Sequence, residues 1–376
     1  MMALSLGAPS QGHQLGVISG NGNKRKPIIK LSRIMARSEL RTLYEEGNLE
    51  HPKWSGNSLL SRLVGGIISV KPFFAILKLA ARQLMISKAA GNNIPWQKMR
   101  SEILECEEVY KELEKVRNPC IIYPDYYLKP FHAYDEGHLS WLAATEVEAA
   151  TMSMVMRAVP NASCLDEAKE VVFGNWLQRI DEHHMKYSSN NPILDILDIG
   201  CSIGLSTTYL ADKFPSAKTI GLDLSPYFLA GAEHNENKRA HPRKNPIRWL
   251  HENGEHTSFP SRSFYLLSIA HLATSSSSFK IILCNPIMSR ILLIDKDNKY
   301  DVVHTFRHKL SFTNPKSKIT QELSPIIYTL LKSVEPYVDE YHLTDVEGRM
   351  REVGFVNVKS RLTDPRHVTV TATVPL

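Results

Sequence analysis

The chain has little cysteine. Five are present among 376 residues (Cys106, Cys120, Cys164, Cys201 and Cys284), an odd number with no CxxC pair. That excludes a disulfide framework and a thiolate zinc site, and it fits a reducing compartment. Acidic side chains are missing from residues 1–38, which hold six basic ones: Lys24, Arg25, Lys26, Lys30, Arg33 and Arg37. The whole chain carries a formal net charge of +6, so these six account for it and the body is neutral. A neutral body has no field to gather a polyanion, so no nucleic-acid partner is expected. The same segment lacks a continuous apolar core, which excludes a secretory leader. Residues 1–45 read instead as a transit peptide, for the chloroplast first and the mitochondrion second. A disordered basic tail is the plain alternative.

Long hydrophobic runs are also lacking. Leu59 to Ile86 is the most apolar region, but Arg62, Lys71, Lys78 and Arg82 interrupt it. Its longest uncharged run, Leu63 to Val70, is too short to cross a bilayer. Pro72 divides the region into two helices. Their basic residues can snorkel, so ordinary packing on the domain is expected, and a peripheral membrane contact through 59–86 stays open. Neighbouring side chains diverge on a helix, so Glu182-His-His184 cannot hold a metal, and no metal is expected.

What is present divides at about residue 190. Residues 50–185 read as a helical extension and lid, with helices near 96–117, 137–158 and 164–186. Residues 190–376 alternate strand and helix. Strands are expected at 194–199, 218–223, 247–250, 264–270, 355–361 and 367–374, with helices at 204–213, 225–238, 322–334 and 344–353. This alternation predicts an α/β fold: a doubly wound, Rossmann-like parallel sheet with helices on both faces. The last two strands, joined by a short link, predict an antiparallel hairpin that closes it.

The chemistry concentrates in Ile196-Leu-Asp-Ile-Gly-Cys-Ser-Ile-Gly-Leu-Ser-Thr207. A buried strand runs into a loop in which Gly200 and Gly204 permit a sharp turn and close approach to a ligand. Amides at the following helix N-terminus can hold an anionic group. Asp198 would repel a pyrophosphate but pairs with an α-ammonium, as in S-adenosyl-L-methionine (SAM). A second apolar run, Thr219 to Leu222, ends in Asp223, a residue type that accepts hydrogen bonds from ribose hydroxyls. Asp223 also reads as a helix cap before Ser225-Pro226.

With these motifs the chain resembles class I SAM-dependent methyltransferases, of the methyltransferase type 11-like kind. It resembles especially small-molecule enzymes like the ubiquinone and menaquinone C-methyltransferases. Asn253-Gly-Glu-His-Thr-Ser-Phe-Pro-Ser-Arg-Ser-Phe264 is similar to the family's adenine-binding stretch, with Asn253-Gly254 where Asp-Ala is usual. The resemblance implies cofactor contacts from Asp198, Gly200, Cys201, Gly204, Asp223, Leu224, Asn253 and Gly254. Tyr123 to Trp141 is similar to a stretch preceding the fold in a plant and cyanobacterial subgroup. From it, Tyr134, Asp135 and Glu136 are expected to contact the acceptor. His132 and His271 are the candidate bases.

Two places depart from the family. Tyr265 replaces the usual Asp at the start of the fourth strand. Residues 272–311 lack helical periodicity and the expected Pro-Gly turn, as an unusual exon or retained intronic sequence would. The sheet beyond His271 is therefore expected to be impaired. The implied activity is methyl transfer to a small-molecule acceptor in the plastid. The alternatives are a non-catalytic or impaired SAM-binding protein and a protein or RNA methyltransferase. Oligomeric state is not encoded in anything visible.

Overall fold

The computed structural model describes residues 59–130, 134–188, 191–260, 263–269, 302–306, 346–352, 354–364 and 367–375. The first six elements are helices: α1 (Leu59–Ile68), α2 (Lys71–Gly91), α3 (Trp96–Leu104), α4 (Glu107–Val116), α5 (Trp141–Ala158) and α6 (Leu165–Tyr187). Pro72 sits in the first turn of α2, where its missing N–H costs nothing, and so it separates α1 from α2. The single helix expected over 96–117 is corrected to two. Cys106 is extended (φ −91°, ψ 107°), and Glu107 and Glu108 restart the helix with carboxylates at its positive end. Gly137 has φ +57°, which delays α5 until Ser140 caps it by accepting from the Ala143 N–H.

The sheet follows. Its parallel strands β1 (Asp195–Ile199), β2 (Lys218–Asp223), β3 (Arg248–His251), β4 (Leu266–Ile269) and β5 (Val302–Phe306) are joined by α7 (Leu205–Lys213) and α8 (Pro226–Asn237). After α9 (Val346–Glu352) come β6 (Val356–Leu362) and β7 (Val368–Thr373). The order is β3-β2-β1-β4-β5-β7-β6. β7 runs antiparallel between β5 and β6, as the closing hairpin requires. A dinucleotide-binding sheet is parallel at that edge, so β7 sets this one apart.

β1 is apolar on both sides because both are covered. Ile196 faces α5, α6 and α7 in a cluster with Val155, Phe173, Trp176, Ile180 and Leu210. Leu197 and Ile199 face the other way, onto Met350 of α9 and Val370 of β7. Asp198 shares the Ile196 face and so meets the start of α7.

The impairment expected beyond His271 is corrected at one point. Val302–Phe306, inside the atypical segment, completes the sheet and pairs with β4 from Leu266↔Val302 to Ile269↔Thr305. A short run rich in β-branched residues is enough to fill that place. Residues 271–301, and the helix expected at 322–334, lie outside the described residues.

Candidate functional site

The site lies where β1, β2 and β3 end, at the carboxyl edge where open α/β sheets bind ligands. β1 leaves the sheet through three left-handed residues: Gly200 (φ +69°), Ser202 (φ +52°) and Gly204 (φ +79°). The loop folds back on β2, with the Gly200 and Cys201 amides both donating to the Leu222 carbonyl, at 2.7 and 3.0 Å. The Gly204 amide donates to the Cys201 carbonyl and the Ser202 amide to Asp223 Oδ2, at 2.9 and 2.8 Å. The loop amides expected to greet a ligand are therefore largely engaged within the protein.

Asp198 is fully buried. Its Oδ2 accepts from Ser206 Oγ at 2.6 Å and Thr207 Oγ1 at 2.7 Å, both in the first turn of α7. Burial holds its carboxyl above the usual range, and those hydroxyls oppose the shift. The ammonium partner expected for Asp198 is thus replaced at Oδ2 by the helix it starts. Cys201 is buried beside Gly221, and burial raises its thiol well above the ordinary value, so it is inert.

Asp223 is the hub. Oδ1 accepts from the Ser225 amide at 2.8 Å and from the Tyr127 hydroxyl at 3.2 Å. Burial drives its carboxyl up to about 6, against the hydrogen bonds from Ser225, Ser202 and Tyr127, with Asp198 adding to the rise. Tyr127 is raised well above its ordinary value by burial and by Asp223, so its hydroxyl remains a donor.

Beyond β3, Asn253 Oδ1 accepts from the Glu255 amide at 2.8 Å, an Asx turn. A Cβ on Gly254 would lie 2.6 Å from Ile199 Cγ2. An alanine at this position does not fit without movement of the β1 end.

A strap of aromatic residues covers these strand ends, and each contact falls on a different element. Asn118 N–H donates to His251 Nδ1 at 2.8 Å, while His251 Nε2 donates to the Leu224 carbonyl at 3.0 Å. That arrangement fixes a neutral tautomer, and burial lowers the pKa of His251 accordingly. Tyr123 Oη lies 3.2 Å from the same Nε2. Tyr126 donates to Glu255 Oε1 at 2.5 Å. Ser225 Oγ donates to the His138 carbonyl at 2.7 Å, tying the strap to the cap of α8.

These groups suit some cofactors and not others. Two buried carboxylates beside the loop repel a polyphosphate and favour a ligand of net positive charge. Asp223 already accepts one hydroxyl, and a ribose diol offers the same donors. Residues 196–280 match the family model described as a methyltransferase domain. This part of the chain carries a methyltransferase domain. S-adenosyl-L-methionine is its cofactor.

Among solved structures, the chain is 13% identical to human N-acetylserotonin methyltransferase, covering 72% of this chain and 66% of that one (TM-score 0.39). A SAM-dependent methyltransferase from Aquifex aeolicus is 13% identical over 60% of this chain and 98% of its own (TM-score 0.38). Phosphoethanolamine N-methyltransferase 2 of Haemonchus contortus is 15% identical over 59% of this chain and 60% of its own (TM-score 0.35). The chain thus spans about three fifths of that enzyme's length. No curated protein matches the chain.

Around the methyltransferase domain, the residues expected to touch an acceptor fall elsewhere. Tyr134 is buried and donates to Glu146 Oε2 at 3.2 Å, and Glu146 also takes Arg82 of α2. Asp135 is exposed and pairs with Lys78, while Glu136 is exposed. Tyr134 and Asp135 thus join the strap to α2 and α5. His132 and His271 lie outside the described residues. Sequence reading passed over His251, Glu255, Trp249 and Tyr127. Tyr126 and Tyr127 stand in the aromatic stretch, but nothing in their spacing marks them as partners of carboxylates 129 and 96 residues away, respectively.

Proposed function

We propose that this protein transfers the methyl group of SAM to a small-molecule acceptor in a plastid. The acid-free basic N-terminus supports the compartment, and the neutral body supports a small acceptor over a nucleic acid. One observation carries the activity: a buried carboxylate, Asp223, ends β2 beside a double-glycine loop and accepts a hydroxyl. When bound, the cofactor supplies an electrophilic sulfonium methyl that an acceptor oxygen, nitrogen or carbanion displaces in line. Asp223 would take the ribose hydroxyls once Tyr127 yields its place. Leu224, Asn253 and Gly254 would border the adenine, and Gly254 leaves that wall flat. Asp198 sets the loop geometry through Ser206 and Thr207. Tyr123, Tyr126 and Tyr127 would exclude water from the reacting atoms, leaving positioning as the protein's main contribution. Where the acceptor is a phenol or an acidic carbon a base is needed, and His132 and His271 are the side chains to test.

Titration calorimetry with SAM, followed by transfer of labelled methyl to a plastid metabolite extract, tests this. Binding and labelling of a small metabolite are expected. Absence of binding by folded protein would remove the enzyme reading, and binding without any transfer would favour a non-catalytic SAM-binding protein.

The carboxyl of Asp223 also sets a pH dependence. It titrates near 6 in the fold and near 3.9 when unfolded, so the folded protein holds its proton more tightly. Its ionisation therefore lowers stability as pH rises from about 4 to about 6, with no further loss above that, and hydroxyls donating to the ionised form offset that cost. Affinity for SAM is therefore expected to be about tenfold weaker at pH 5 than at pH 7. Calorimetry at both values checks this, with Asp223→Asn as a comparator whose affinity does not change with pH.

A further inference from the structure

Helix α2 is apolar on two opposite sides, and among the described residues only one of them is covered. Met85, Ile86 and Ala89 pack inward on Trp96, Ala149 and Ala150. On the outer side Phe73, Ile76, Leu79 and Leu84 are exposed, Leu79 to 70% and Ile76 to 63%. Leu59 and Leu63 of α1 are exposed likewise. A helix that is hydrophobic all round needs a second apolar environment.

The charges show which one. Residues 59–91 contain no Asp or Glu. The two basic residues in the middle of α2 turn inward onto the body, Lys78 to Asp135 and Arg82 to Glu146, and its other two, Lys71 and Lys88, stand near its ends. That leaves the outer face from Pro72 to Leu84 with Gln83 as its one exposed polar side chain. Arg62 and Lys88, both exposed, flank the face at its two ends. A protein partner is normally met by a polar rim of mixed charge, which this face lacks. α1 and α2 meet at 98°, and among the described residues no single helix is long and apolar enough to cross a membrane. An uncharged apolar face flanked only by positive charge is suited to lying in a lipid interface.

We propose that the outer face of α1 and α2 seats this protein on the surface of an anionic lipid bilayer. The apolar side chains enter the headgroup–acyl boundary, and Arg62 and Lys88 meet acidic headgroups. The proposal is independent of the cofactor site, so SAM titration is unaffected by its failure.

Vesicle flotation of the full chain tests it, with vesicles of phosphatidylcholine alone or mixed with phosphatidylglycerol. The wild type is expected to float with the anionic vesicles and about tenfold less with the neutral ones. Phe73→Ser/Ile76→Ser/Leu79→Ser removes three exposed side chains without touching the core, and its partition coefficient is expected to fall about 100-fold. Should that variant melt early, Arg62→Glu/Lys88→Glu provides the second arm, with a loss of about tenfold on anionic vesicles only. No flotation of the full chain would overturn the proposal, because residues 1–58 or a partner would then cover the face. Equal flotation of both variants would do the same. So would a wild-type dimer that the triple substitution renders monomeric.

Discussion

Asp223→Ala is expected to weaken SAM binding at least about 100-fold. A hydrogen bond to a charged group contributes roughly 1.5–3 kcal/mol, and a ribose diol makes two to this carboxylate; about 1.4 kcal/mol is a factor of ten in affinity. The loss extends to the loop, because Asp223 Oδ2 accepts the Ser202 amide that holds the glycine turn closed. Calorimetry gives the affinity, and a urea midpoint separates it from unfolding. Removal of the carboxyl relieves its own desolvation but leaves the Ser202 and Ser225 amides without an acceptor, so a net loss of about 1–3 kcal/mol is expected at that midpoint. Tyr127→Phe is the informative contrast. It deletes the hydroxyl that now fills Oδ1 and leaves the carboxylate in place, so affinity is expected to hold or tighten. An Asp223→Ala protein that binds SAM like the wild type would place the pocket elsewhere.

Gly204→Ala is expected to cost about 3 kcal/mol or more of stability, as two separate penalties. Gly204 has φ +79°, a conformation that costs a residue with a Cβ about 1–2 kcal/mol. The added Cβ would also lie 2.3 Å from Cη2 of the Trp249 indole, where overpacking adds about 1–3 kcal/mol. The same ring would meet a Cβ on Gly221 at 2.5 Å, so it is wedged between two glycines and cannot retreat. Urea denaturation should show the loss. Trp249→Leu in the Gly204→Ala background should restore the packing part and leave the backbone part. No recovery would mean that the left-handed backbone alone demands glycine.

Sequence and structure agree best where a signal is local. The alternation of apolar runs placed β1, β2, β3 and β4 within two or three residues, because a buried parallel strand must be apolar on both sides. The 96–117 helix failed at Cys106 because a break in the backbone leaves no gap in helical periodicity. β5 was missed because its neighbours lack family-like pattern, although strand pairing needs only a few extended residues beside β4. The glycine loop and the carboxylate that ends the second strand were legible as local features. Their partners were not, since Tyr126, Tyr127 and Asn118 reach Glu255, Asp223 and His251 across the fold rather than along the chain.

By itself the sequence determined the α/β alternation, the two glycines that permit the turn, and the carboxylate at the end of the second strand. Each follows from backbone freedom or side-chain period within a few residues. Tertiary structure decided which carboxylate meets the loop helix and which meets the strap. Asp198 faces α7 because strand side chains alternate, and packing assigns a helix to that face. Asp223 meets Tyr127 because the helical extension folds back over the sheet edge. Burial then shifts the charge of Asp223 into the range where pH can act on it, a property that no residue carries until the chain encloses it.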